Sequence, residues 1–307
     1  MKAGPIEVEV WRGPVVESRH VVAAAVCDAA GRELEAYGDA DVVTFWRSAA
    51  KPFQARPWVA AGVAGRYGWR DREIAILCAS HMGHDEHARL VCAMLADLGL
   101  TEADLQCDDG TLGARHNCSG NHTGFLAGCR LHGWDVATYR AAGHPAQRAA
   151  LAATAEAAGC AVADMALAVD GCGVVVYASP LTALARAFAG LPDVAPAIAA
   201  AMRANPILIE GRGEPDTVLM QAFPGVVSKA GAEGVGCASL PDGRGVALKV
   251  LDGNDRATGP ALAALLVRCH GLAETPEDVV PVACPAVRND HHDPVGRIVA
   301  RLPGGAP

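Results

Sequence analysis

Strand-like sequence is concentrated at the two ends of this 307-residue chain, and helix-forming sequence fills the space between them. At the front, Ile6-Glu7-Val8-Glu9-Val10-Trp11 alternates apolar and polar residues. Val21 to Cys27 and Glu33 to Tyr37 then flank a turn at Gly31, which reads as an antiparallel hairpin region. Beyond Arg47 the pattern predicts helices over Lys51 to Ala64, Arg72 to Cys78, Glu86 to Leu98, Ala146 to Ala158, Leu181 to Phe188 and Ala195 to Met202, with alanine runs acting as helix formers. Strand character returns in Gly225 to Ser228, Gly234 to Ser239 and Gly245 to Leu251, the last closed by the turn pair Asp252-Gly253. Residues 286 to 307 read as a closing strand followed by a Gly-Pro tail. Strands at both ends around a helical middle, about 47–220, predict an α+β fold with one antiparallel sheet built from both chain ends. There is no internal repeat. A single domain over 1–307 is therefore expected, with two closely packed lobes as the other arrangement.

With 51% hydrophobic residues the chain can bury a sizeable core, and its net charge of −8 with no basic block argues against nucleic acid or an anionic membrane as partner. A small-molecule substrate fits that balance. The front of the sequence has no apolar h-region and no stretch of eighteen apolar residues follows, so a cytoplasmic location is expected. Eleven cysteines, an odd count scattered without any C-x-x-C pair, predict small buried thiols rather than a disulfide framework or a structural zinc site of the usual spacing.

Lysine is scarce: of 26 cationic residues only Lys2, Lys51, Lys229 and Lys249 are lysines. Arginine keeps its proton in proteins, whereas a desolvated lysine can become a neutral amine and act as a base. The three internal lysines are accordingly candidates for chemistry. Lys51 closes Ser48-Ala49-Ala50-Lys51, the serine-x-x-lysine arrangement with which serine β-lactamases and penicillin-binding proteins activate a hydroxyl. On a helix the i, i+3 spacing puts both on one face, within reach of each other. Pro52 falls in the first turn, where a missing N–H costs least. Arg47 would help keep the amine neutral and is placed to take a carboxylate.

Cys78-Ala79-Ser80-His81 follows an apolar run and sets a second serine at the end of an element. His81, His84 and His87 have the look of a metal box, but their spacing is not that of H-E-x-x-H, and the competing reading is a polar helix start. His116-Asn117-Cys118-Ser119-Gly120-Asn121-His122-Thr123-Gly124 is the densest polar stretch, read either as site or as a turn capped by Asn and Ser. Asp170-Gly171-Cys172-Gly173 follows an apolar segment and presents Asp170 from a strand end or a simple turn. Ser228-Lys229-Ala230-Gly231 resembles a lysine-glycine box behind a strand. Lys249 lies in the next strand, on the face opposite Leu248 and Val250.

Taken together, Arg47-Ser48-Ala49-Ala50-Lys51-Pro52-Phe53-Gln54, Ala79-Ser80-His81, Asn117 to Gly124, His144-Pro145-Ala146-Gln147, Asp170 to Gly173, Lys229 to Gly234 and Lys249 to Gly253 resemble the L-asparaginase II family, the rhizobial-type, class 3 group. The resemblance implies a serine β-lactamase/glutaminase-like fold, a single catalytic domain, a homodimer, and hydrolysis of L-asparagine to L-aspartate and ammonia. The same fold acting on glutamine, a β-lactam or a small peptide amide is the alternative, as is an amino-acid-binding homologue of weak activity. The resemblance also implies Ser48 as nucleophile, Lys51 as its base, and Ser80 with Lys249 as a second serine-lysine pair. Arg47 and Asp170 would grip the charged α-groups, with Cys118, Asn121, His122 and Lys229 completing the substrate site. No cofactor is strictly required by this chemistry. Members of the family can hold zinc through two cysteines and a lysine, which map to Cys118, Cys237 and position 121. Here that lysine is Asn121, an amide that is a poor metal ligand. Two further departures are Cys107-Asp108-Asp109-Gly110, which lacks a glycine-histidine-proline character, and Gly173-Val174, which lacks a following proline.

Overall fold

Alternation at the two ends of the chain resolves into strands that share one sheet. The computed structural model describes residues 2–304. The chain runs through β1 (Lys2–Ala3), β2 (Ile6–Arg12), β3 (Val15–Asp28), β4 (Glu33–Tyr37) and β5 (Val43–Phe45) into α1 (Lys51–Ala60), α2 (Val63–Tyr67), α3 (Asp71–Ile76), α4 (Asp85–Asp97), α5 (Ser119–His132) and α6 (Pro145–Ala158). It continues through β6 (Ala166–Val169), β7 (Val175–Pro180), α7 (Leu181–Val194), α8 (Pro196–Ala204), α9 (Pro206–Ile209) and α10 (Pro215–Ala222). β8 (Val227–Gly231), β9 (Val235–Ser239), β10 (Arg244–Val250), α11 (Thr258–Cys269), α12 (Val280–Ala283), β11 (Ala286–Arg288) and β12 (Pro294–Arg301) complete it. These elements fall into two units.

The first unit comprises Met1–Thr44, Pro180–Gly190 and Gly213–Pro307. Its nine-stranded sheet has the path β11-β12-β2-β3-β10-β9-β8, with β4 added to β3 and β1 to β4. β3 is the organising strand: Val15–Val22 pairs antiparallel with β2, Val22–Asp28 with β10, and Ala24–Cys27 with β4. Its sequence reports this division. The first part alternates exposed and buried residues, as a strand with one solvated face must, and from Val22 to Cys27 every side chain is buried. Leu262, Leu265 and Leu266 of α11 join Val8, Val10, Val246 and Leu248 in the core. Gly245 lets a helix approach: a Cβ there would lie 2.1 Å from Ala185 O and 2.3 Å from Ala189 N of α7.

The second unit comprises Phe45–Ser179 and Leu191–Arg212. It holds the antiparallel pair β6-β7 and most of the helices. α5 is its central rod, buried from Ser119 to Cys129. Trp58 of α1 packs 5.7 Å from Phe125 and lies against Gly128, where a Cβ would come 2.4 Å from the indole. The helix predicted over Lys51 to Ala64 is in fact two. Gly62 adopts a left-handed φ of 88°, ending α1 and letting α2 start at Val63. The apolar run Ile74-Ala75-Ile76-Leu77 closes helix α3, so Ser80 leaves from the end of a helix.

Candidate active site

Three segments of the second unit meet at one amine. The first is the 3₁₀ turn Arg47–Ala50, which runs directly into α1; the Lys51 N–H bonds Ser48 O, closing the turn. Residues three apart eclipse in such a turn, so Ser48 and Lys51 share a face as the spacing requires. Arg47 enters it with a φ of 49°, a left-handed value uncommon for a residue with a side chain. Its guanidinium is anchored on Asp170, with Nε and Nη2 both 2.8 Å from Oδ1. Asp170 stands one residue past β6, at the head of the turn through Cys172 and Gly173.

Lys51 is 3% exposed. Its Nζ donates to Ala79 O at 2.6 Å and to Cys118 Sγ at 3.3 Å, and lies 2.9 Å from Ser80 Oγ. Thus the amine bridges the segment after α3 and the start of α5. Ser48 Oγ is not among the hydrogen-bond partners found for it. Cys118 is hydrogen-bonded to Cys172, and that bond, aided by the Lys51 charge and His116, holds Cys118 well below the ordinary thiol range against the opposing effect of burial. Cys172, the partner in that bond, is pushed up.

Two histidines brace this centre in the neutral form. His81 Nδ1 accepts the Gly83 N–H and its Nε2–H donates to Ser119 Oγ at 3.0 Å, since that hydroxyl itself donates to Ala114 O. His122 Nδ1 lies 2.6 Å from Tyr139 OH, which accepts the Gln106 N–H. Burial is the main cause that pushes each of them down to about 3. The unfolded chain takes up protons on both near 6.5, the folded protein only near 3, so stability is highest above 6.5 and declines as the pH falls through that window. At pH 5 each histidine costs about 2 kcal/mol relative to pH 7. Thermal melts at the two pH values measure it; a Tm no lower at pH 5 contradicts the assignment.

The other residues named from the motifs are placed as follows. Asn121 and His122 are fully buried in α5, and Asn121 Nδ2 donates to Leu77 O at 3.1 Å. Among the described residues, no three His, Cys, Asp or Glu side chains converge on a common point. His84 is instead the N-terminal cap residue of α4, with Asp85 and Glu86 in its first turn, and His81 stacks on His87 at 4.7 Å. Lys229, Lys249 and Cys237 belong to the first unit. Lys229 is buried there 3.5 Å from Asp216, whose carboxylate also accepts Ser228 Oγ at 2.7 Å and the Ala230 N–H at 2.8 Å. Lys249 Nζ donates to Glu233 O. Cys237 is pushed up by burial and then by Asp216. Sequence reasoning missed Cys172 and the Ala79 carbonyl. The first carried a signal in its two flanking glycines; a backbone acceptor carries none.

A model of the L-asparaginase II family matches residues 8–300. The chain belongs to the L-asparaginase II family. Membership of that family supports an amidohydrolase. Among solved structures, this L-asparaginase II family member is similar to the crystal structure of Mglu in its native form, at 17% identity and a TM-score of 0.50 over 87% of this chain and 69% of that one. A second Mglu crystal structure matches at 15% identity and 0.50 over 88% and 72%. A beta-lactamase from Mycobacterium bovis matches at 16% identity and 0.39 over 82% and 95%. A search of the curated proteins found no match. The expected α+β fold, with its sheet drawn from both chain ends, is the one observed, and it is similar to that of Mglu.

Proposed function

We propose that this amidohydrolase cleaves the side-chain amide of L-asparagine, giving L-aspartate and ammonia, by way of a serine activated by Lys51. The observation that carries the reading is the buried Lys51 amine, one 3₁₀ turn from Ser48 and 2.9 Å from Ser80 Oγ. A carbonyl oxygen only accepts, so one N–H is committed to Ala79 O, and the acceptor Cys118 Sγ takes another. In the neutral form that a general base requires, the amine has two N–H groups and one lone pair, and the lone pair is left for a serine hydroxyl. Ser48, one 3₁₀ turn ahead, attacks the amide carbon while Lys51 takes its proton and returns it to the departing ammonia. Water then attacks the acyl-serine with the same amine as base. The paired charges of Arg47 and Asp170 suit the α-carboxylate and α-ammonium of a free amino acid.

Zinc has no part in this scheme. Asn121 offers only a neutral amide, a poor metal ligand, and among the described residues no three His, Cys, Asp or Glu side chains converge, so no step is routed through the metal. A second reading makes Ser80 the nucleophile, favoured by its direct bond to the amine. Ammonia release from asparagine, glutamine and a β-lactam, each with and without chelator, tests the proposal. Asparagine should be turned over best, and chelator should change nothing. No ammonia from asparagine beside turnover of another of these compounds overturns the substrate, and loss of activity with chelator overturns the metal-free scheme.

A further inference from the structure

The block His144-Pro145-Ala146-Gln147 takes no part in the chemistry above, yet it opens α6 with a polar side chain buried in the second unit. His144 caps the helix, its Nδ1 accepting the Ala146 N–H, and Pro145 fills the first position, where no N–H is needed. That start leaves Gln147 in the first turn, 1% exposed. Both ends of its amide are used: Oε1 accepts the Val175 N–H at 3.1 Å and Nε2 donates to Tyr139 O at 2.9 Å. Glutamine can do both at once, whereas an ionised glutamate only accepts.

The backbone pattern shows why Val175 needs a side chain as partner. The Asp170 N–H bonds Val174 O, and Val175, opposite Val169 in the register, therefore points its N–H away from β6. On that far side the Trp46 N–H bonds Tyr177 O, two residues along, and the chain then turns off at Arg47 with its left-handed φ. Gln147 supplies the acceptor that a continuing strand would have given. It does so at the first residue of β7, next to both anchors of the Arg47–Asp170 pair: Arg47 leaves the sheet there, and Asp170 heads the turn that Val174 closes.

We infer that Gln147 is a positioning residue for substrate selection: by fixing Val175 it holds Arg47 and Asp170 where they take an α-carboxylate and an α-ammonium together, and so sets the preference for an amino-acid amide over the same amide without its ammonium. This rests on the reading of Arg47 and Asp170 as the grip on the substrate's α-groups. The Lys51 amine is held separately, by Ala79 O and Cys118 Sγ, so losing the Gln147 bonds loosens binding more than chemistry.

Kinetics on the full chain with L-asparagine and with succinamate, the same side-chain amide lacking the α-ammonium, test it. Wild type should favour asparagine by about 100-fold in kcat/KM, because a site built to bond an ammonium rejects the analogue without it. Gln147→Met, which keeps the shape and loses both bonds, should cut that ratio by about 10-fold, with KM for asparagine raised and kcat within about 3-fold of wild type. Gln147→Asn, too short to reach Val175, should do the same and serves if the methionine variant does not fold. Gln147→Glu keeps the acceptor for the Val175 N–H and should hold the ratio within about 3-fold of wild type. A smaller folded fraction would lower both substrates together and leave the ratio unchanged. Thr154→Val, which removes a buried hydroxyl further along α6, is the control for that case. Calorimetry with L-aspartate and succinate reads the same grip without turnover. A wild type that binds these two alike removes the grip, and the inference with it, whether or not asparagine is hydrolysed. A wild type that discriminates, beside Gln147→Met and Gln147→Asn variants that discriminate as well or a Gln147→Glu variant that does not, overturns the role of Gln147 and leaves the asparagine reading standing.

Discussion

Replacing Lys51 by methionine should lower kcat/KM for ammonia release from asparagine by on the order of 10⁴-fold, with the fold intact. Methionine keeps the length and apolar stem of the side chain and removes the amine that bonds Ala79 O, Ser80 Oγ and Cys118 Sγ. Arginine at the same position would keep a cation but could not accept a proton, so Lys51→Arg should fall as far. Ser48→Ala should match it, because a nucleophile and its base act as a unit and removing either removes the same step. Ser80→Ala should lose less, about 10²-fold, if that hydroxyl only holds the amine in place. The reverse order, with Ser80→Ala inactive and Ser48→Ala active, would move the nucleophile to Ser80. Near-wild-type turnover in Lys51→Met would end the serine-lysine mechanism altogether.

The second large effect concerns a residue with no chemistry. Gly120→Ala should destabilise the protein by about 3 kcal/mol and lower Tm by roughly 5 °C. The added Cβ would lie 2.2 Å from Ile76 O and 2.9 Å from Ile76 Cγ1, and a backbone oxygen cannot yield as a flexible side chain does. Ile76 ends α3, and the chain it leads into carries Ala79 and Ser80. Displacement there should also reduce kcat, since the amine is held from both sides. Gly65→Ala is the control: open space surrounds that position, and alanine is the better helix former. Equal Tm values for Gly120→Ala and wild type would show that the contact between α5 and α3 is looser than described.

How much of this could be read in advance follows from what a sequence encodes locally. Alternation in Ile6 to Trp11 located the first strands, because period-two burial is written residue by residue, and apolar runs bounded by glycines located the late ones. The Ser48–Lys51 spacing placed both residues on one turn for the same reason. The hydrogen bond from Lys51 to Ser80 spans 29 residues and depends on how α3 and α5 pack, which no local pattern states. β7 escaped notice because Val175 to Ser179 is uniformly buried and has no alternation. The turn reading of the stretch around Asn121 and His122 gives way in the other direction: it is a buried helix whose glycines serve close packing.

The pairing of β3 carries a lesson about synthesis. Val22 takes its place beside Val250, and Arg12 is flanked through β12 by Gly296, so the first strands emerge from a ribosome more than two hundred residues ahead of the partners that cover them. At ordinary elongation rates that interval is roughly 10–40 s. A nascent amino-terminal hairpin with open edges must wait out that delay, and holding it apart from its neighbours on a polysome becomes the slow, vulnerable stage in producing this protein.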